Sequence, residues 1–490
     1  MPFSQPMHKT LMTIGLLFSA VCWYLTFSLS GAYWYLLWLA PIPVLYYSFL
    51  LKRKWAFLIA FTAYLIGRLS WWAYLQSLMP LPLAVIFTLL FPVIFALIVL
   101  GTRAIVGRYR HWSAAFAFPV LTTTFEYVMG LFSQDGTAGS IAYTQSNFLP
   151  VVQIASVTGF TGITFLVTLV PSAVAVMLYN HKRQAAVKPI AWMTISMTGI
   201  ALFFGMWRLH DTPAIQQPPV RIGMVTIDER AYYDKYATRV DKQAHLSHLY
   251  LKQVASLAHD GAEIIVFPEK MFRFTDSIGP DMLQVVKDTA RTYRVMIVAC
   301  VDQNRTGFYE NRAWVISPEG ELLADYQKGH LFAGEIRDSV KPAQGLALFT
   351  RTGSREGVAI CKDMDFPQFI AGYGKAASNL LYVPAWDFVR DGWLHSRMAM
   401  MRSVEGGYSL VRNAREGRLT INDCHGKIAF EASSESGAPV RLLGSVVPAH
   451  HQTLYNVLGD WFGILNVAAA AAWLIALLLK KRSAALGERI

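Results

Sequence analysis

Charged residues are scarce in this 490-residue chain. Asp, Glu, Lys and Arg make up 16% of it, hydrophobic residues make up 54%, and the mean hydropathy is +0.34. Because a soluble domain carries about 25% charged residues, this composition excludes a wholly soluble protein and a disordered one. The length exceeds that of an average domain, so we expect more than one domain.

Cysteine is also scarce, with four residues at Cys22, Cys300, Cys361 and Cys424. They form no Cys-x-x-Cys or zinc-binding pattern, which excludes a disulfide-dense scaffold and offers no zinc site. At most one disulfide can form among the three outside the apolar N-terminal stretch, so an odd thiol requires an explanation.

Long apolar runs fill residues 1–210 and recur near the C-terminus. A membrane-spanning helix needs about 20 apolar residues. We predict eight spans, at Leu11–Leu29, Trp34–Leu51, Trp55–Tyr74, Leu83–Leu100, Ala114–Leu131, Gly159–Tyr179, Ile190–Trp207 and Phe462–Leu479. The predicted domains are a membrane domain of seven helices (1–210), a soluble insert (211–455), and an eighth helix with its tail (456–490).

The net charge of +12 is concentrated in loops that follow the even-numbered predicted spans. Basic clusters lie at 52–54, 103–110, 182–188 and 480–482, and the other loops lack them. The positive-inside rule therefore predicts cytoplasmic termini and an insert on the outer face. This pattern favours anionic lipid over nucleic acid as the reason for the basic charge.

Two ionisable residues, Arg68 and Glu126, fall inside predicted spans. Intramembrane charge is unfavourable and can mark a functional site. We favour a structural role for both residues.

The insert alternates predicted strands and helices, which indicates a layered α/β or α+β domain. Glu269 ends the strand EIIVFPE, Lys328 follows ELLADYQ, and Cys361 follows GVAI. Strand ends are where α/β enzymes place their chemistry. A thiolate can attack an ester or amide carbonyl, a carboxylate can accept and return its proton, and an ammonium can stabilise the oxyanion.

Each of these three residues also has a simple structural interpretation. A buried cysteine is commonly a small apolar side chain. The carboxylate can cap a helix, and the lysine can be a surface charge. Their shared position at strand ends favours a catalytic set, although the spacing alone does not decide.

The order of Glu269 in FPEK, Lys328 in YQKGHL and Cys361 in AICKDMDFP resembles the Glu-Lys-Cys triad of the nitrilase, or carbon-nitrogen hydrolase, superfamily. The membrane half is similar to that of the apolipoprotein N-acyltransferases, in stretches such as FPVLTTTFEYVMG (118–130) and PVVQIASVTGFTGITFLVTLV (150–170). Further similarity lies in HSRMAMMRSVEGGYSLVR (395–412) and TLYNVLGDWFG (453–463). The resemblance covers nearly the whole chain.

The resemblance implies an αββα sandwich on the outer face of the bacterial cytoplasmic (inner) membrane. It implies that Cys361 takes an acyl chain from a phospholipid and passes it, through a thioester, to the N-terminal amine of a diacylglyceryl-cysteine on a lipoprotein. It implies no metal or organic cofactor, and we expect a monomer that does not bind nucleic acid.

The resemblance also assigns supporting roles. Glu335 corresponds to a second family glutamate that would orient Lys328, although the family usually has one more residue in this gap. The backbone N–H of Lys362 would help Lys328 to hold the oxyanion. Lys362 and Asp363 stand where the family commonly has Tyr and Glu.

The expected substrate contacts depart further from the family. The family's Asn-Asp before an aromatic residue is replaced by Val383-Pro384 before Trp386 and Asp387, and Tyr232 and Tyr233 lie nearest to an early family Trp that has no clear match. Trp207 is expected near the acyl-chain entrance. These departures suggest a divergent paralogue.

Three classes of function remain open. The first is phospholipid-to-lipoprotein N-acyl transfer, including a paralogous transferase with a different acceptor. The second is a membrane-anchored nitrilase-type amidase, which the eight spans argue against. The third is a lipid-binding or scaffold protein with a relic triad, which the complete Glu269, Lys328 and Cys361 set argues against.

Overall fold

The computed structural model describes residues 6–109, 111–181, 184–213, 215–227, 239–275, 279–337 and 340–487. The chain divides into two compact units. The first unit contains Met1–Phe132, Gly139–Leu209 and Asp460–Ile490. The second contains His210–Gly459 together with a short loop, Ser133–Ala138, that interrupts the first unit in sequence.

The first unit is helical. Its α-helices are α1 (Pro6–Thr26), α2 (Pro41–Leu50), α3 (Arg53–Arg68), α4 (Trp72–Leu78), α5 (Leu81–Arg108), α6 (Ala117–Phe132), α7 (Leu149–Val152), α8 (Ala155–Thr158), α9 (Phe160–Tyr179), α10 (Gln184–His210) and the C-terminal helix Trp461–Gly487. Short 3-10 helices lie at Trp34–Trp38, Leu69–Trp71, Trp112–Phe116 and Ile141–Gln145.

Within the described residues, seven helices are long and apolar enough to cross a membrane. They are Lys9–Thr26, Arg53–Leu78, Leu81–Arg108, Trp112–Phe132, Phe160–Tyr179, Val187–His210 and Trp461–Leu479. The second predicted span differs, because Trp34–Leu50 is shorter and consists of a 3-10 helix followed by α2. Pro41 begins α2, and its missing N–H prevents one continuous helix.

The second unit alternates strands and helices. In chain order these are β1 (Ile215–Gln216), β2 (Val220–Thr226), α11 (Arg239–His259), β3 (Ile264–Val266), β4 (Phe272–Thr275), α12 (Gly279–Tyr293), β5 (Met296–Arg305), β6 (Phe308–Ile316), β7 (Leu322–Gln327), α13 (Ala333–Arg337), β8 (Ala347–Arg351), β9 (Ser354–Val358), α14 (Pro367–Lys375), β10 (Leu380–Trp386), α15 (Gly392–Gly406), β11 (Ser409–Arg415), β12 (Arg418–Asn422), β13 (Ile428–Ser433), β14 (Val440–Val446), β15 (Ala449–His450) and α16 (Leu454–Leu458).

Most of these strands belong to two sheets. One sheet has the order β14-β2-β3-β5-β6-β7, with β4 paired to β5, and the other has the order β13-β12-β11-β10-β9-β8. Strands β2, β3 and β5 are parallel, as are β9, β10 and β11. The carboxyl ends of neighbouring parallel strands therefore lie at the same edge of each sheet.

Apolar side chains from both sheets form one buried core between them. Ile222, Val266 and Val298 come from the first sheet, and Val358 and Val411 come from the second. Separate cores lie beneath α11 and α12 on one side and beneath α14 and α15 on the other. This arrangement confirms the αββα sandwich that the resemblance implied.

Candidate active site

The carboxyl ends of two parallel strands, one from each sheet, meet at the predicted triad. Glu269 follows β3, and its backbone N–H donates to the carbonyl of Ala385 in β10, at 3.1 Å. Cys361 follows β9, which pairs with β10 in parallel. Because β10 contacts Glu269 and also pairs with β9, it brings Glu269 and Cys361, which are almost 100 residues apart in sequence, to the same edge of the sandwich.

Cys361 begins a sharp turn, the 3-10 helix Cys361–Asp365, which we call the Cys361 turn. The φ angle of Cys361 is +44°, in the left-handed region that non-glycine residues rarely adopt. Such strained backbone is concentrated at functional sites. The thiol lies 3.5 Å from the carbonyl oxygen of Trp386, to which it donates.

Burial, together with the charge of Glu269, raises the pKa of the Cys361 thiol well above its ordinary value. The cations Lys328 and Arg412 oppose this rise without cancelling it. The resting sulfur is therefore a thiol, and it needs a base before it can act as a nucleophile.

A buried lysine joins two carboxylates beside this turn. Lys328 Nζ lies 2.7 Å from Glu269 Oε1 and 2.8 Å from Glu335 Oε2, and all three side chains are almost fully buried. Burial alone would lower the pKa of Lys328, but the two carboxylates outweigh it and raise this pKa well above its usual value. Lys328 is therefore a permanent cation in this site.

Asn311 holds the same two carboxylates from the opposite side, and sequence reasoning missed it. Its Nδ2 donates to Glu269 Oε1 at 2.6 Å and to Glu335 Oε1 at 2.8 Å. Cys300 donates to Asn311 Oδ1 at 3.4 Å, which orients the amide. Asn311 is fully buried within β6. It lies in mid-strand rather than at a strand end, so the search for polar residues at strand ends did not select it.

Lys270, which also escaped the sequence analysis, contributes a second cation. Its Nζ lies 2.8 Å from Glu335 Oε1. Burial would raise the pKa of Glu335, but Lys328 and Lys270 lower it far below the usual range. Glu335 is therefore ionised and held by two ammonium groups.

Asp363 ties the Cys361 turn to the loop after Lys328. Its Oδ1 accepts from the backbone N–H groups of Gly329 and His330, at 3.2 and 2.8 Å. Its Oδ2 accepts from Tyr326 Oη at 2.7 Å and from the N–H of Ile360 at 2.9 Å. One carboxylate thus fixes the backbone on both sides of the thiol and the ammonium.

Lys362 lies in the same turn, but its charge is matched elsewhere. Its Nζ is 2.7 Å from Asp135 Oδ1 and 3.5 Å from Asp365 Oδ2. Thr137 donates its N–H and its hydroxyl to the carbonyl of Asp365, both at 2.9 Å. The loop Ser133–Ala138 therefore binds the outer part of the Cys361 turn.

The predicted substrate residues Trp386 and Asp387 lie at the end of β10. Asp387 forms a buried two-bond ion pair with Arg412, at 2.5 and 2.9 Å. The guanidinium of Arg415 lies 3.4 Å from the centre of the Trp386 ring. Both predicted residues are thus held by arginines of β11, and the charge of Asp387 is neutralised by Arg412.

The three remaining predicted substrate residues are Trp207, Tyr232 and Tyr233. Trp207 belongs to α10 in the first unit, and more than half of its side chain is exposed. Tyr232 and Tyr233 lie outside the described residues. Among the residues that the structure describes, no group of three or more His, Cys, Asp and Glu side chains is arranged to hold a metal ion.

Two families match this chain. The family described as Apolipoprotein N-acyltransferase N-terminal domain matches residues 19–173, and the family described as Carbon-nitrogen hydrolase matches residues 214–437. Together they cover most of the membrane half and most of the inserted domain.

Curated relatives extend the similarity across both domains. An apolipoprotein N-acyltransferase of Geobacter metallireducens is 26% identical over 85% of this chain and 82% of its own length. One from Haemophilus ducreyi is 25% identical over 71% of this chain and 72% of its own length.

A solved amidase from Nesterenkonia sp. is similar to 48% of this chain, over 91% of its own length, at 18% identity and a TM-score of 0.40. The two family matches and the curated relatives reach across the membrane half and the sandwich alike. The chain therefore combines an apolipoprotein N-acyltransferase N-terminal domain with a carbon-nitrogen hydrolase domain, and it is a multi-pass inner-membrane acyltransferase of the carbon-nitrogen hydrolase superfamily.

Proposed function

We propose that this protein transfers an acyl chain from a phospholipid to the N-terminal amine of a diacylglyceryl-cysteine on lipoproteins. Glu269, Lys328 and Cys361 form the catalytic set, and a Cys361 thioester divides the reaction into two steps. A thioester intermediate makes an ester-to-amide exchange possible as two simpler displacements.

In the first step, Glu269 accepts the proton of the Cys361 thiol, and the thiolate attacks the ester carbonyl of the phospholipid. A sulfur–carbon bond forms, and the carbonyl oxygen takes up the negative charge. The Lys328 ammonium and the backbone N–H of Lys362 stabilise that charge. The ester carbon–oxygen bond then breaks, Glu269 returns its proton to the leaving glycerol oxygen, and a lysophospholipid departs.

In the second step, the α-amine of the lipoprotein cysteine attacks the thioester. Glu269 accepts a proton from the attacking nitrogen. A carbon–nitrogen bond forms, the carbon–sulfur bond breaks, and Glu269 passes its proton to the leaving sulfur, which regenerates the thiol. The balance is one ester and one amine converted to one amide and one alcohol, so the reaction needs no redox partner.

The observation that carries this proposal is the buried Lys328 ammonium, which bridges Glu269 and Glu335 next to a protonated thiol. Glu335 and Asn311 keep the ammonium and the base in place, and Asp363 keeps the Cys361 turn against them. This set contains a nucleophile, a base and an oxyanion stabiliser, as acyl transfer requires.

The seven long apolar helices favour a transferase with lipid-anchored substrates over a soluble-substrate amidase. Holding enzyme, donor and acceptor in one membrane raises the effective concentration of each for the others. In the proposed arrangement both termini are cytoplasmic, the sandwich lies on the outer face, and the protein works as a monomer.

The test is intact-protein mass spectrometry after incubation of the full chain with phospholipid vesicles. We expect an acyl adduct on the wild-type protein that a diacylglyceryl-cysteine peptide discharges with formation of an amide. Cys361→Ala should give no adduct, whereas Cys361→Ser can form only a slow ester adduct. The buried Cys424→Ala variant is the matched control and should behave as wild type.

Three outcomes contradict the proposal. An adduct that persists in Cys361→Ala would show another nucleophile. An adduct that only water discharges would indicate an amidase or other hydrolase. No adduct on the wild-type protein would favour a lipid-binding role.

A related transferase with a different acceptor is the second candidate. The buried Asp387–Arg412 pair acts electrostatically on the thiol, and Asp387 closely follows Val383-Pro384, where the family pattern differs. If amines other than the lipopeptide discharge the adduct faster, this second candidate gains support.

A further inference from the structure

Lys270 directly follows the proposed base Glu269, yet its side chain turns back toward the site. Its φ angle is +54°, again in the left-handed region. Its ammonium reaches Glu335 Oε1 at 2.8 Å, and only 11% of the side chain is exposed. A lysine on an ordinary surface turn would extend into solvent, because ammonium groups are strongly hydrated.

With Lys270 included, the buried cluster contains two ammonium groups and two carboxylates. Lys328 contacts both Glu269 and Glu335, whereas Lys270 contacts Glu335 on its other oxygen. Asn311 bridges the Oε1 atoms of the two carboxylates. Without Lys270, a single ammonium would have to neutralise two buried carboxylates.

We propose that Lys270 is a positioning residue that neutralises Glu335 and thereby leaves the charge of Lys328 available to the Cys361 thiolate. This inference rests on the proposed function only in taking Cys361 as the nucleophile. When the S–H bond breaks, the proton passes to Glu269 and the negative charge remains on sulfur. Glu335 and the thiolate are then balanced by Lys270 and Lys328, so the cluster has no net charge.

The other charged groups that act on this cluster already have their own partners. Asp302, which acts on Lys270, is paired with Arg273. Asp387 and Arg412, which act on Cys361, are paired with each other. Removal of Lys270 would therefore leave the thiolate form of the cluster with one excess negative charge, which no neighbouring pair is free to offset.

The measurement is the pH midpoint of Cys361 alkylation by a maleimide, with the labelled peptide identified by mass spectrometry in the full-length protein. Lys270→Met should raise this midpoint by about one unit, since a nearby cation favours the thiolate. Lys270→Arg, which keeps the charge, should restore the wild-type midpoint. Lys375→Met removes an exposed lysine from α14 and is the matched control.

Lys270→Met leaves the buried charge of Glu335 partly uncompensated, and this can prevent folding. A second variant keeps the test valid in that case. The double variant Lys270→Met/Glu335→Gln restores neutrality and should bring the midpoint back toward wild type. Glu335→Gln alone, which leaves an excess cation, should lower the midpoint.

An unchanged midpoint in Lys270→Met would overturn the inference. A double variant with a raised midpoint, or a raised midpoint in Glu335→Gln, would overturn it as well. Acyl transfer to the lipopeptide is measured separately on the same samples. If the wild-type protein transfers no acyl chain while the midpoints shift as expected, the proposed function fails and the role of Lys270 stands.

Discussion

At the scale of single residues, Lys362 carries a charge next to the nucleophile without being placed to act on it. Its ammonium lies against Asp135 and Asp365, at 2.7 and 3.5 Å. Two carboxylates cancel the field of one ammonium, so little of that field reaches the sulfur. The proposed contribution of Lys362 to the site is therefore its backbone N–H, which any residue except proline supplies at this position.

We predict that Lys362→Tyr leaves the pH midpoint of Cys361 alkylation unchanged. The variant removes a cation whose charge Asp135 already matches, so the thiolate loses no stabilisation. The measurement is maleimide labelling against pH in the wild-type and variant proteins, with the exposed Lys375→Tyr as control. A clear upward shift would instead make Lys362 part of the catalytic set.

Strand-end positions favoured Glu269, Lys328 and Cys361 as a catalytic set, and the family resemblance selected them, together with Glu335. Asn311, Lys270 and Arg412 could not be selected in this way. Asn311 lies in mid-strand, and its role depends on the pairing of β6 with β5 and β7. The side chain of Lys270 points inward only because of its left-handed backbone. Pairing register and backbone reversal are set by tertiary contacts, which one sequence does not reveal.

At the scale of elements, α15 is attached to the Cys361 turn through a partly buried histidine. His395 Nε2 lies 3.1 Å from Asp391 Oδ2, one helical turn earlier, and its Nδ1 lies 3.7 Å from Asp365 Oδ1 in the turn. Burial disfavours the imidazolium, but Asp391 and Asp365 outweigh it and raise the pKa of His395 to about 10. The charged ring therefore links a helix to the segment that carries the nucleophile.

We predict that His395→Gln lowers the melting temperature of the detergent-purified protein at pH 7, by roughly 2–4 °C for each kcal/mol lost. The folded pKa exceeds the unfolded value of about 6.5, so the stabilisation is complete below that pH and is lost as pH rises through about 10. The melting temperatures of the variant and the wild type should therefore converge by pH 10.5.

The exposed His259→Gln is the control for this experiment and should match the wild type throughout the range. A difference between His395→Gln and the wild type that stays constant from pH 7 to pH 10.5 would mean that the ring acts by packing rather than by charge.

Local sequence patterns predicted most strands and helices of the sandwich, because their apolar periods and turn residues are local signals. They missed β8 (Ala347–Arg351) and β14 (Val440–Val446), which are edge strands with mixed exposure. The pairing of β5 with β6 extends to Arg305 and Phe308, where polar side chains weaken the local apolar pattern although the pairing continues.

At the scale of the whole molecule, the intramembrane charges Arg68 and Glu126 have structural partners. Glu126 accepts hydrogen bonds from Ser140, Thr164 and the N–H of Ile141, and so anchors the segment after α6 to α9. The guanidinium of Arg68 lies against the aromatic rings of Phe27, Trp71 and Phe91. Hydrogen bonds and cation–π contacts stabilise buried charges of this kind, which agrees with the structural interpretation of both residues.

Whether the chain crosses the membrane seven or eight times depends on one short segment, Trp34–Leu50. Trp34–Leu50 is roughly 25 Å long by helical rise, slightly less than the hydrocarbon core of about 30 Å. A local thinning of the bilayer compensates for a mismatch of this size at a modest free-energy penalty. Basic residues follow this segment at 52–54, as expected for a crossing that ends in the cytoplasm.

We predict that reporters inserted at Ser30 and Gly307 are exported and that a reporter at Gly107 is cytoplasmic. Apart from chain neighbours and the local helix backbone, no atom lies within 4 Å of the position where a side chain would begin at Gly107 or Gly307, and Ser30 is exposed, so all three sites are suited to insertions. Alkaline phosphatase, which is active only outside, and a fluorescent protein, which matures inside, report the side at each site.

Three long helices separate Gly107 from Gly307, so reporters on the same side would contradict the count of crossings. A cytoplasmic reporter at Ser30 would show that Trp34–Leu50 does not cross, and it would move the N-terminus to the outer face.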